Sequence, residues 1–189
     1  VGNTEVPFVA ALHDDVDVFV VECSSFRLQF TESFRAEASV WLNLAPDHQN
    51  WHRSMESYEA AKARMWAHNR PTDVAVGFAA DPIVMRNLQA APGVRRTFAA
   101  NGADYRVEAS THLVGPAGVI APVSAMVRDL PHDRTNALAA AALVLEVGLV
   151  PIESIADGLA SFRHPPHRIE PIGTLRGVRW FNDSKRSEE

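Results

Sequence analysis

The sequence predicts an α/β domain, a mostly parallel sheet flanked by helices, with the opening hairpin of a second domain after residue 166. Three observations predict it. The strand candidates are near-continuous apolar runs, as in sheets covered on both faces. They alternate with helical patterns in the order β-α-β-α-β. An alanine-rich helical stretch then ends at Gly148 and Pro151, ahead of a hinge-like segment that closes with Pro165 and Pro166.

Residues 16–21 are the first strand candidate and lead into Glu22. Residues 24–35 are short and polar. Residues 38–44 are the second strand candidate and run into Ala45-Pro46-Asp47-His48. Residues 54–69 read as a helix that Ser54 can cap, with Met55, Tyr58, Ala61 and Met65 at helical spacing and Pro71 beyond its end. Residues 73–78 are the next strand, and 81–90 a short helix with Pro82 in its first turn. Residues 95–98 read as a further strand. Glycines and prolines punctuate 103–127, which predicts short antiparallel strands and turns. Helices over 135–147 and 152–162 follow. From Ile169 a strand, a turn at Gly173 and another strand open the second unit. The chain starts at Val1 and stops soon after that strand, so it is expected to be an internal piece of a longer protein.

An apolar share of 47% and a charged share of 22% are those of an ordinary globular domain. A net charge of −5 without a long basic run argues against nucleic acid as a partner. No apolar stretch approaches the roughly 18 residues of a membrane span. The lone Cys23 excludes an internal disulfide and fits a reducing cytoplasm.

Glu22 and His48 each follow an apolar run, where open α/β sheets bind ligands. A carboxylate at a strand end suits magnesium, which prefers oxygen ligands. Glu22 is equally readable as a turn cap or a partner of Arg27. His48 reads as a ligand, a positioning group or a turn residue, and His52 as part of the same cluster or a surface residue. Lys62 reads as a helical lysine paired with Glu56 or Glu59; protonated, it would repel a metal. Asn136 sits at the start of the alanine-rich helix, where anions are favoured, though Asp133 or Thr135 can simply cap there. His167-Arg168 is a candidate phosphate clamp or a linker pair with Glu170. Asp183 and Lys185 follow a strand. No Gly-x-x-x-x-Gly-Lys-Ser/Thr loop occurs in the chain.

Taken in order, these segments resemble the Mur ligases, most closely the members that add D-glutamate. The resemblance rests on Gly2-Asn3, Glu22-Cys23-Ser24-Ser25-Phe26, Leu42-Asn43 through Asp47-His48 and His52, and Tyr58 to Lys62 with Arg64. It continues through Asn136-Ala137-Leu138-Ala139-Ala140, His167-Arg168 with Glu170, and Asn182-Asp183-Ser184-Lys185. Arg27 stands where these ligases carry glutamine and Asp133 where they carry asparagine. After Lys185 their Ala-Thr-Asn is replaced by Arg186-Ser187-Glu188-Glu189.

The resemblance implies a central ATP- and magnesium-binding domain over residues 1–166, lacking its P-loop part, and the start of a Rossmann-like C-terminal ligase domain over 167–189. It implies Glu22, His48 and Lys62 as ligands of two magnesium ions, with Lys62 carbamylated, and His48 and Lys62 as catalytic residues. Asn136, Arg168, Asp183 and Lys185 would contact ATP. Asn3 and Ser24 would contact substrate or phosphate. The implied reaction joins D-glutamate to UDP-N-acetylmuramoyl-L-alanine through an acyl phosphate, in peptidoglycan precursor synthesis. The parent enzyme is expected to be cytoplasmic and monomeric, and this piece alone inactive. The alternatives are another Mur or folylpolyglutamate-type ligase, or a non-catalytic remnant of the fold.

Overall fold

A computed structural model describes residues 1–3 and 6–184. At its centre lies a three-stranded parallel sheet of β1 (Ala38–Trp41), β2 (Val74–Phe78) and β3 (Val94–Phe98), in that order. β2 is central and buried on both faces, which explains its unbroken apolar run. The crossovers carry helices, as parallel strands require. Between β1 and β2 runs α3 (Met55–Ala63), continued by a 3₁₀ turn at Arg64–Trp66. Between β2 and β3 runs α4 (Pro82–Ala90). Upstream lie two single-turn helices, α1 (Phe8–Ala11) and α2 (Ser25–Leu28).

Two apolar clusters sandwich the sheet. Val74, Val76 and Phe98 pack with Leu138, Ala141 and Ala142 of α5 (Pro131–Glu146) on one side. Trp41, Ala75, Tyr58, Trp66, Val84 and Leu88 pack on the other, with α3 and α4. Gly77 lets α4 close in: a Cβ there would meet Leu88 Cδ2 at 3.0 Å and Val84 Cγ1 at 3.2 Å. An antiparallel meander of β4 (Arg106–Glu108), β5 (His112–Gly115) and β6 (Gly118–Pro122) follows β3, as the turn residues predict. α6 (Ser154–Ser161) contacts β6. The hairpin β7 (Glu170–Leu175) and β8 (Val178–Asn182) closes the described chain.

Three expectations need correction. Residues 16–21 form no ladder; Val1 N–H reaches the Val20 carbonyl, and only an isolated parallel bridge joins Gly2 to Glu22. Val16, Val18 and Val20 are 47–81% exposed, because no strand among the described residues lies against them. α5 begins at Pro131 instead of Thr135: proline suits the first helical position, and the Asp133 carboxylate accepts the Leu130 N–H. The final hairpin turns at Arg176 and Gly177, both left-handed, instead of at Gly173, where the register shifts.

Candidate functional site

The site lies beyond the carboxyl end of β1. Asp81 builds its floor: its Oδ1 caps α4 by accepting the N–H groups of Ile83 and Val84, and its Oδ2 accepts the N–H of Leu44 at 2.7 Å. One carboxylate thus ties the start of α4 to the exit of β1. The chain then turns through Asp47 to His48, whose φ of 55° is left-handed, uncommon for a residue with a side chain. Asp47 Oδ1 holds that turn by accepting the His48 N–H at 2.6 Å.

His48 and His52 meet α2 and α3 through aromatic faces. Phe26 lies 4.7 Å from His48 and 5.8 Å from His52, ring centre to ring centre. Tyr58 stacks on His52 at 5.1 Å and meets His48 edge-on at 5.7 Å. His52 is buried, and its Nε2 lies 2.9 Å from Ser25 Oγ. Ser54 accepts the Ser57 N–H and so starts α3, setting Tyr58 and Lys62 four residues apart on one face.

Lys62 Nζ sits 5.4 Å from the Tyr58 ring centroid, a cation–π distance. It does not pair with Glu59, whose carboxylate binds Arg86 and Asn87. Burial pushes the Lys62 amine below its ordinary value, and the Asp47 charge partly opposes this. Burial also lowers His52, helped by His48 and Lys62, and raises the Tyr58 hydroxyl. Two imidazoles and an amine thus gather around the Tyr58 ring, with the Asp47 carboxylate close enough to act on Lys62.

Glu22 is placed by the amino-terminal residues. Asn3 N–H donates to the Glu22 carbonyl at 2.8 Å, and Asn3 Nδ2 to its Oε1 at 3.2 Å. Two residues on, the Ser24 hydroxyl is buried without a hydrogen-bond partner among the described residues. A hydroxyl in that state is a ready donor for an oxyanion. The structure brings His48 and Lys62 together on Tyr58 and pairs Glu22 with Asn3. Among the described residues no three His, Cys, Asp or Glu side chains gather closely enough to hold a metal ion. In chemical kind the Glu22 carboxylate suits a hard cation, and the lowered proton affinity of Lys62 favours the neutral amine that would become a second carboxylate on carbamylation; His48 would add an imidazole nitrogen.

The candidate nucleotide residues lie elsewhere. Asn136 is exposed near the start of α5. Beside that start opens a cleft of about 460 Å³ lined by Ala99, Asn101, Asp129, Arg134 and Thr135, among others; Asn136 does not line it. Arg168 is exposed, and Asp183 Oδ1 accepts the Ile169 N–H at 3.0 Å. Glu170 accepts the His167 N–H and so is not simply Arg168's partner. Lys185 falls outside the described residues. Composition and spacing did not reveal Tyr58, Phe26 and Ser25 as the frame of the site. The signal was present in aromatic residues placed four before Lys62 and one after Ser25.

Comparison with known proteins follows the same lines. Residues 4–144 match the Mur ligase middle domain. A UDP-N-acetylmuramoylalanine--D-glutamate ligase of Frankia casuarinae is 38% identical over 97% of this chain and 40% of its own length. The enzyme of that name from Haemophilus influenzae strain 86-028NP is 33% identical over 97% of this chain and 42% of its own. The chain therefore spans about two fifths of the curated relatives it matches. Among solved structures, MurF from Acinetobacter baumannii superposes with a TM-score of 0.66 at 22% identity, covering 78% of this chain and 33% of that one. E. coli FolC, in complex with DHPP and ADP, superposes at 0.57 and 22% identity, over 78% of this chain and 34% of that one. Both likenesses are of fold.

Proposed function

Because this chain belongs to the Mur ligase family, we propose that it forms part of an ATP-dependent ligase joining D-glutamate to UDP-N-acetylmuramoyl-L-alanine. Residues 1–166 are assigned to the central domain, and 167–189 to the start of the C-terminal one. The observation that carries the reading is the juxtaposition on Tyr58 of His48 and a half-buried Lys62 whose proton affinity burial lowers, with Glu22 and the unpartnered Ser24 hydroxyl close together in the segment before α2. The D-glutamate specificity is supported by the relatives' names and by the resemblance of the segments His167-Arg168 with Glu170 and Asn182 to Lys185.

Glu22, His48 and a carbamylated Lys62 would hold magnesium, which supplies charge neutralisation for phosphoryl transfer. The chain's own residues bind and orient. Ser24 offers its hydroxyl to a phosphate or carboxylate oxygen. Asn3 holds the Glu22 carboxylate in place. Asn136, Arg168, Asp183 and Lys185 are assigned to ATP on either side of the linker. Phosphoryl transfer from ATP to the alanyl carboxylate would give an acyl phosphate and ADP; the D-glutamate amine would then attack the acyl carbon, forming the amide and releasing phosphate and a proton, chemistry that depends chiefly on positioning and electrostatics. The phosphate-cradling loop is absent from these 189 residues, so catalysis is assigned to the complete enzyme and not to this chain alone.

The test is amide formation by the complete enzyme from ATP, UDP-N-acetylmuramoyl-L-alanine and D-glutamate, alongside its Glu22→Ala variant. The reading expects product with the parent and a loss of at least about a hundredfold in the variant. Preference for another amino acid would reassign the chain to a sister ligase. Full activity in Glu22→Ala would remove Glu22 from the site.

A further inference from the structure

We propose that Arg128, which none of the motifs above contains, is a positioning residue that clasps the interdomain linker to the start of α5 and so sets Arg168 and Asp183 relative to Asn136. The inference deepens the ligase reading and rests on it for the nucleotide's identity, but the clasp itself stands on geometry.

Arg128 grips in two directions. Its Nε and Nη2 each donate to the buried Asp133 carboxylate at 2.8 Å, a two-pronged pair. Its Nη1 donates to the carbonyls of Arg168 at 3.0 Å and Ile169 at 3.1 Å. The Ile169 peptide is thus held from both ends, because its N–H donates to Asp183. A continuous path runs from the first turn of α5, through Asp133 and Arg128, to the linker and on to the strand end at Asp183.

The linker needs such a hold. His167 and Ile169 both have left-handed backbones, with φ of 65° and 49°. A β-branched residue there is an outlier, and it persists only where its surroundings enforce it. Arg128 supplies that enforcement at the two carbonyls on either side of the Ile169 Cα. The clasp also accounts for a buried acidic side chain, Asp133, in the first turn of α5. Its carboxylate is neutralised by Arg128, with His132 and His164 nearby at 3.4 and 4.0 Å, so it does not present a bare negative charge to a nucleotide. A neutral amide could not hold a guanidinium as tightly.

The test reads amide hydrogen exchange in the full chain and kinetics in the complete ligase. Arg128→Ala is expected to speed exchange of the Ile169 amide by about tenfold, with the interior amides of α5 unchanged. In the complete ligase it is expected to raise the KM for ATP by about tenfold while the KM for D-glutamate stays within about twofold. Arg128→Lys, which keeps the charge but not the fork, should restore part of both effects, and Asp133→Asn should reproduce part of them. Should Arg128→Ala loosen α5 as well, the lysine and asparagine variants decide. Unchanged exchange at Ile169 in folded variants overturns the clasp. Faster exchange with an unchanged KM for ATP overturns the positioning role. A complete enzyme that forms no amide with ATP and any amino acid overturns the ligase reading and leaves the exchange result to judge the clasp.

Discussion

His52 Nε2 lies 2.9 Å from Ser25 Oγ, across 27 residues of sequence, and this contact joins the start of α2 to the loop that leads into the helix carrying Lys62. The imidazole is buried, and burial, with the charges of His48 and Lys62, holds it below its ordinary value of 6.5. The folded state therefore resists a proton that the unfolded chain accepts. Stability is unaffected at high pH, falls as pH drops through 6.5, and levels off below the folded value. Denaturation midpoints measured between about pH 7.5 and about pH 5 should fall less in His52→Gln than in the parent. An equal slope in both would remove His52 from this role.

Asp47 is the group that keeps the Lys62 proton affinity from falling further. Asp47→Asn should therefore lower the Lys62 midpoint and enlarge its neutral fraction near neutral pH. With ¹³C-labelled bicarbonate, the carbamate resonance of Lys62 should appear at lower pH in the variant. A shift to higher pH would contradict the electrostatic arrangement.

Cys23 reports on its neighbour. Burial raises its thiol, the Glu22 charge raises it further, and Arg27 pulls it down. Only the thiolate reacts with iodoacetamide. Glu22→Gln should speed alkylation and Arg27→Gln should slow it. The same sign in both variants would show that burial alone sets the rate.

The core carries two graded tests. Phe98 is fully buried and lies 5.5 Å, centroid to centroid, from Phe78. Phe98→Ala should cost about 3–5 kcal/mol in urea denaturation. Gly93 and Gly102 both have φ near 80°, at 84° and 79°. A Cβ on Gly93 would stand 2.4 Å from the Asp73 carbonyl oxygen, whereas one on Gly102 meets nothing within 4 Å. Gly102→Ala should cost about 1 kcal/mol of backbone strain, and Gly93→Ala clearly more. Equal costs would mean that the backbone around Gly93 yields.

The parallel sheet was legible because β2 and its helices obey period and punctuation together: Val74-Ala75-Val76, Pro82 at the start of α4, Ser54 at the start of α3. Residues 16–21 misled because an apolar run records a tendency to be covered and not the presence of a partner strand. The start of α5 was misread because the group satisfying Leu130 lies three residues inside the helix, at Asp133, instead of at the cap. In the site, each candidate residue type was readable, but its company was not. Lys62 looked destined for Glu59 by spacing, and Arg86 from another helix took that carboxylate. Arg128 was invisible because its partners in the linker are the backbone carbonyls of Arg168 and Ile169, which leave no trace in side-chain patterns.

The four tryptophans divide into pairs with different surroundings. Trp41 and Trp66 are each 2% exposed, with ring centroids 5.5 Å apart, while Trp51 and Trp180 are 53% and 55% exposed. Iodide would quench the second pair and spare the first. Trp51 touches Phe26 of the site, and Trp180 lies on the closing hairpin. The chain therefore carries its own optical labels: a blue-shifted emission that follows the core and a quenchable, red-shifted one divided between the site and the hairpin.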